Sequence, residues 1–169
     1  PAPSIVDLYD KGIAVNSLSK TYSIPGIRVG WVASNTEVAD ILRDYRDYTM
    51  ICAGVFDDMV ATLVLENKEA ILERNRQIVE ENLALMDAWI AKEPKASWIR
   101  PASVSTSFVK LDVNRPIEDF ALELLQDYGV LVVPGNRFDK ESHVRIGYCC
   151  DKEVLQKGLG KLSQFLNKC

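Results

Sequence analysis

Apolar and polar positions along the 169 residues switch between a period near two and a period near 3.6, the patterns of strands and helices. The run Gly12-Ile13-Ala14-Val15 predicts a strand near the start, and Val29 to Ala33 predicts a second short, buried strand. Asn35 or Thr36 is suited to cap a helix, with Glu37 in the first turn and Val38, Ile41, Leu42 and Tyr45 on one face. From Asp57 to about Ala91 the pattern is helical almost throughout. Ile71, Ile78 and Leu85 recur along this stretch, shadowed by Leu72, Val79 and Met86, with Glu73, Arg74, Arg76, Glu80 and Glu81 behind. The repeat is too short for a coiled coil and predicts a packed helix.

After Pro94 the character changes. Val104 to Val113 predicts a strand. Pro116 opens a helix with Ile117, Phe120, Leu124 and Tyr128 on one face, and Gly129 stops it. Val130 to Val133 predicts a strand ended by Pro134-Gly135, and Val144 to Tyr148 predicts another. Asp151 caps a last helix carrying Leu155, Leu159, Leu162 and Leu166. This order describes a small α/β lobe. Gly158 and Gly160 lie inside that last helical pattern, without the strand and turn that a phosphate loop needs.

Composition narrows the function classes. Apolar residues make up 47% and charged residues 26%, the balance of a globular chain. The net charge of −4 comes without any basic block, so the cationic face that nucleic acid requires is missing. The apolar runs are too short to span a bilayer, and the start lacks the pattern of a secretory signal. A cytoplasmic protein is expected, without nucleic-acid or membrane partners. The four cysteines show no metal-ligand spacing. They read as reduced thiols, two of them packed in a strand, and neighbouring Cys149 and Cys150 are poorly placed to bridge each other. His143 is the sole histidine, which leaves no basis for a histidine metal site or a catalytic triad.

Chemistry concentrates in Asn16-Ser17-Leu18-Ser19-Lys20-Thr21-Tyr22-Ser23-Ile24-Pro25-Gly26-Ile27-Arg28-Val29-Gly30-Trp31. A lone lysine in a serine-rich loop is, on physics alone, most often solvated surface. Held where strands end, partly desolvated and near another cation, it becomes a usable amine nucleophile. The Ser17 and Ser19 hydroxyls with the Arg28 guanidinium would suit a phosphate.

The string Ser17-Leu18-Ser19-Lys20, then Pro25-Gly26, Arg28, Gly30 and Trp31, is similar to the pyridoxal 5′-phosphate (PLP) attachment segment of fold-type I aminotransferases of class I/II. The resemblance implies that Lys20 is the Schiff-base lysine and that Ser17, Ser19 and Arg28 hold the cofactor phosphate. Tyr22 is assigned to packing. Downstream, His143-Val144-Arg145-Ile146-Gly147-Tyr148 resembles the late strand whose arginine binds the substrate α-carboxylate, and residues 130 to 138 also resemble the family. Arg145 is thereby the expected carboxylate ligand, with Arg137 as its rival.

The resemblance covers nearly the whole chain but only the C-terminal part of the family. It implies an α/β chain with the aspartate aminotransferase-like fold. Residues 1–55 would close the large PLP-binding domain, residues 56–95 would form linking helices, and residues 96–169 a small C-terminal domain. It further implies amino acid and 2-oxo acid substrates and a homodimer when full length. The stretch as it stands, with only 19 residues before Lys20, is expected to be inactive alone. The same residues suit a PLP lyase, decarboxylase or cyclising synthase, or an aminotransferase-like sensor domain of a transcription regulator.

Overall fold

A computed structural model describes residues 3–102 and 104–169. The chain divides into two compact units, one ending at Asn75 and the other beginning at Arg76.

In the first unit a single helical turn, α1 (Ile5–Leu8), precedes strand β1 (Ala14–Ser17), which pairs antiparallel with β2 (Gly30–Ala33). The register sets Ala14 opposite Ala33 and Ser17 opposite Gly30. Gly30 is required by this close approach, because a Cβ there would lie 2.6 Å from the Asn16 carbonyl oxygen. β1 starts two residues after the predicted Gly12, whose N–H instead closes a turn onto the Tyr9 carbonyl at 2.8 Å. The second strand was expected to be buried, yet Trp31 and Val32 are exposed. The reason is that β1 and β2 form a two-stranded sheet, and no further described strand pairs with either.

Helix α2 (Thr36–Thr49) begins where Asn35 Oδ1 accepts the Val38 N–H at 3.0 Å. It buries no residue, and its stripe of Ile41, Leu42 and Tyr45 is exposed. The long helical stretch is two helices, α3 (Val55–Glu66) and α4 (Lys68–Ile90). The break falls at Asn67, whose side-chain amide donates to the Leu63 carbonyl at 2.8 Å and so competes with the backbone ladder. The small core of this unit gathers on Leu18, which is fully buried against Ala61 and Val64.

Among the described residues, the second unit combines a four-stranded antiparallel sheet with most of α4 and two further helices. Its strands are β3 (Ala96–Trp98), β4 (Thr106–Leu111), β5 (Val133–Pro134) and β6 (His143–Gly147), in the order β3-β4-β6-β5. Val109 and Leu111 of β4 and Val144 and Ile146 of β6 are buried. They share one core with α5 (Ile117–Tyr128) and α6 (Lys152–Leu166) through Phe120, Leu124, Leu159, Leu162 and Phe165. The intervening residues of both strands therefore face away from that core. Gly129 ends α5 in the left-handed region at φ 64°, and Asp151 caps α6 by accepting the Glu153 N–H at 2.9 Å.

Two expectations are corrected by this unit, and one of its strands was not expected. The apolar run Val130 to Val133 is not a strand of that length: only Val133 and Pro134 pair with β6, while Val132 is buried in the core. Its hydrophobicity serves packing after a helix stop rather than a ladder. Short β3, at the sheet edge, carries too few residues for a visible alternation. None of the four cysteines lies in a strand: Cys52, Cys149 and Cys169 are exposed and Cys150 is half-buried.

Buried Asn82 of α4 ties this unit together. Its side-chain amide donates to the carbonyls of Tyr148 at 2.7 Å and Cys150 at 2.8 Å, just after β6. Removing the amide leaves polar backbone groups without their partner. Asn82→Ala is expected to destabilise the second unit by about 1–3 kcal/mol. Urea denaturation checks this, with a lowered midpoint at unchanged slope as the expected result.

Candidate active site

The connection from β1 to β2 carries the candidate site of the first unit. Leu18 points into the core and anchors the loop, with its N–H bonded to the Val29 carbonyl at 3.1 Å. The Ile24 N–H returns to the Leu18 carbonyl at 3.3 Å, and the Ser23 N–H to the Lys20 carbonyl at 3.1 Å. Asn75 of α4 donates to the Thr21 carbonyl at 2.9 Å. Tyr22, Ile24, Ile27 and Val29 pack against the Leu18 cluster. The loop is thus held from both ends and from beneath, while Ser17 and Lys20 remain exposed and Ser19 half-buried.

Ser17 Oγ accepts the Ser19 N–H at 3.3 Å, folding the two serines into one small turn beside Lys20. Arg28 follows a 3₁₀ turn, Pro25–Ile27, and its guanidinium donates to the Pro25 carbonyl at 2.7 Å. Among the described residues, no carboxylate forms an ion pair with Lys20 or Arg28. Two non-glycine residues of the loop, Ser23 at φ 59° and Arg28 at φ 51°, occupy the left-handed region. Such conformations cost free energy and persist where the surroundings enforce them. The sequence reading expects a partly desolvated amine at Lys20; the side chains of this unit leave it exposed.

Arg145 belongs to the second unit and lies on the outward face of β6, exposed and directly opposite Phe108 of β4. Its guanidinium carbon is 5.5 Å from the centre of the Phe138 ring. Thr106, Ser107, Phe108 and Phe138 line an open hollow with it. No described carboxylate pairs with Arg145. Its rival Arg137 is differently placed, since its guanidinium pairs with Glu118 of α5. His143 is half-buried and stacks on Phe108; burial, with Lys140 and Lys110 nearby, pushes its imidazole below the usual histidine pKa.

The sequence reading names Arg145 but neither aromatic beside it. Phe108 shares a face with Arg145 through strand pairing, which local sequence does not display. Phe138 lies within the stretch resembling the family and carries a signal only in that sense.

The sequence model of the family aminotransferase class I and II matches residues 2–162. The chain belongs to that family. Among solved structures, a PLP-dependent aminotransferase from Streptococcus suis is 68% identical, with TM-score 0.97 over 99% of this aminotransferase-family chain and 45% of its own. The aspartate aminotransferase of Thermotoga maritima is 26% identical, with TM-score 0.84 over 98% of this chain and 43% of its own. Capreomycidine synthase of Streptomyces vinaceus is 29% identical over 93% of this chain and 41% of its own length. The aminotransferase-family chain therefore spans less than half of each of these proteins, and its α/β architecture is part of the aspartate aminotransferase fold.

Proposed function

We propose that this chain is part of an enzyme that moves an amino group between an amino acid and a 2-oxo acid, with PLP as cofactor. The observation that carries the reading is the β1–β2 connection, which gathers an amine, two hydroxyls and a guanidinium with no ion-paired carboxylate among them. That donor set fits a phosphorylated aldehyde. Hydroxyls and a guanidinium suit the phosphate, and a primary amine suits the carbonyl carbon.

Ser17, Ser19 and Arg28 would donate to the phosphate, and Lys20 would hold the cofactor covalently through Nζ. When bound, PLP supplies an electron sink for the charge left when the substrate α-proton departs. Lys20 Nζ, once free, is the base that takes that proton from Cα. Arg145 receives the substrate carboxylate as a planar fork of donors and so fixes which bond at Cα is presented.

The reading includes the domain assignment 1–55, 56–95 and 96–169, a cytoplasmic location and a homodimer. Exposed Ile41, Tyr45, Phe56 and Met59 in the first unit support a protein-covered surface. Among the described residues, no helix is long and apolar enough to cross a membrane.

A panel of ¹⁵N-labelled amino acids mixed with 2-oxoglutarate and the whole protein tests the activity. Labelled glutamate is the expected product. Carbon dioxide, ammonia or an internally cyclised amino acid without labelled glutamate would replace this reading with another PLP reaction. The likeness to capreomycidine synthase makes a synthase the second reading to measure.

A further inference from the structure

The outward face of the second unit's sheet carries four side chains in a continuous column. His143 stacks on Phe108, with ring centres 4.8 Å apart and planes inclined by 17°. Phe108 meets Phe138 edge to face, at 5.8 Å and 81°. The Arg145 guanidinium completes the column over the Phe138 ring at 5.5 Å. Strand alternation puts Phe108, His143 and Arg145 on this one face. Phe138 reaches them from a 3₁₀ turn, Gly135–Phe138, that follows β5.

That turn is pinned on several sides. A Cβ at buried Gly135 would lie 2.2 Å from the Lys140 carbonyl oxygen and 2.4 Å from that of His143, so the backbone is closed tightly on itself. The Lys140 N–H donates to the Gly135 carbonyl at 3.0 Å, and Asn136 and Arg137 both bind the Glu118 carboxylate. Phe138 therefore stands on a fixed base.

We propose that Phe138 is a positioning residue for Arg145, with Phe108 and His143 as its backing. The proposal rests on the reading of Arg145 as the carboxylate ligand. An arginine side chain has many rotamers, and without an ion-pair partner it samples them unless something else restrains it. A carboxylate restraint would occupy the donors that the substrate needs. The face of an aromatic ring attracts the guanidinium through its π quadrupole and leaves the in-plane N–H groups free. Phe138 thus orients the fork without competing for it.

The test uses the holoenzyme of the whole protein and an unreactive monocarboxylate, 3-phenylpropanoate, with phenethylamine as a carboxylate-free control; both are followed by titrating cofactor absorbance. Phe138→Leu is expected to weaken the carboxylate by about 3- to 30-fold, the span of a cation–π contact, and to leave the amine unchanged. Phe138→Tyr restores carboxylate binding. Phe138→Met, of similar volume, serves if the leucine variant does not fold, with the same expectation. Unchanged carboxylate binding in Phe138→Leu, alongside its loss in Arg145→Ala, overturns the positioning role and leaves the reading of Arg145 intact. Equal weakening of amine and carboxylate also overturns it, as a merely structural effect. Full carboxylate binding by Arg145→Ala removes the reading of Arg145 and the proposal with it.

Discussion

Lys20→Ala is expected to abolish covalent retention of PLP and to lower the turnover of the whole protein by at least about 10²–10⁴-fold, the contribution of a positioned proton-transfer group. The wild-type protein, reduced with borohydride and digested, should carry the cofactor on the peptide containing Lys20. Cofactor found on Lys11 or any other lysine would sink the assignment. The substitution is clean because Lys20 is exposed and has no ion-pair partner among the described residues, while the loop's anchor is Leu18. Thermal stability in the absence of PLP is therefore expected to match wild type. Lys20→Arg keeps the positive charge yet lacks an amine that loses its proton readily, so it should fail as fully as alanine. A failure of charge alone would instead be rescued by arginine.

The second large effect concerns Arg145. Arg145→Ala is expected to lower kcat/KM for amino acids by about 2–5 kcal/mol, the usual result of truncating one partner of a hydrogen-bonded charge pair. Cofactor absorbance should be almost unchanged. Arg145→Lys recovers part of the loss, since an ammonium supplies charge without the two parallel donors of the guanidinium. Arg137→Ala is the matched control: its guanidinium is engaged with Glu118, so its removal should affect stability more than substrate use. Steady-state kinetics on the four proteins decides the matter. Full kcat/KM in Arg145→Ala, with loss in Arg137→Ala, would exchange their roles.

Helices that announce their ends were legible in the sequence. Asn35, Gly129 and Asp151 each stand where a side-chain oxygen or a left-handed residue is needed, and the structure uses all three. Strands were legible where β-branched and apolar residues run together: β2, β4 and β6 were foreseen to within one or two residues, and β1 was foreseen two residues early. β4 alternates against a helix-covered core, whereas the far end of β1 was missed because Asn16 and Ser17 run on into an exposed two-stranded ladder with no apolar alternation to show. The run at residues 130–133 misled because burial of Val132 after a helix stop mimics a strand in composition.

The candidate site divided along the same line. Residue types of the Lys20 loop could be read directly, because its members are neighbours in sequence. Its left-handed turns could not, since they depend on what packs around it, and the exposure of Lys20 matches the plain expectation for a serine-rich loop rather than the partly desolvated one. The column of aromatics behind Arg145 was invisible for a different reason. Phe108 and Arg145 are 37 positions apart, and only the β4–β6 register sets them face to face.

If Arg28 holds the cofactor phosphate as proposed, its left-handed backbone sets folding and chemistry at odds. Glycine occupies that conformation without the clash that a side chain brings, a difference of about 1 kcal/mol at one position. A backbone judged by stability alone would favour glycine at 28, and equally at the left-handed Ser23. Descendants of this protein that no longer used the loop would be released to drift there, gaining stability as they lost the guanidinium. Glycine at position 28, in an otherwise well-preserved hairpin, would be an early mark of a gene that has kept its shape and given up its reaction.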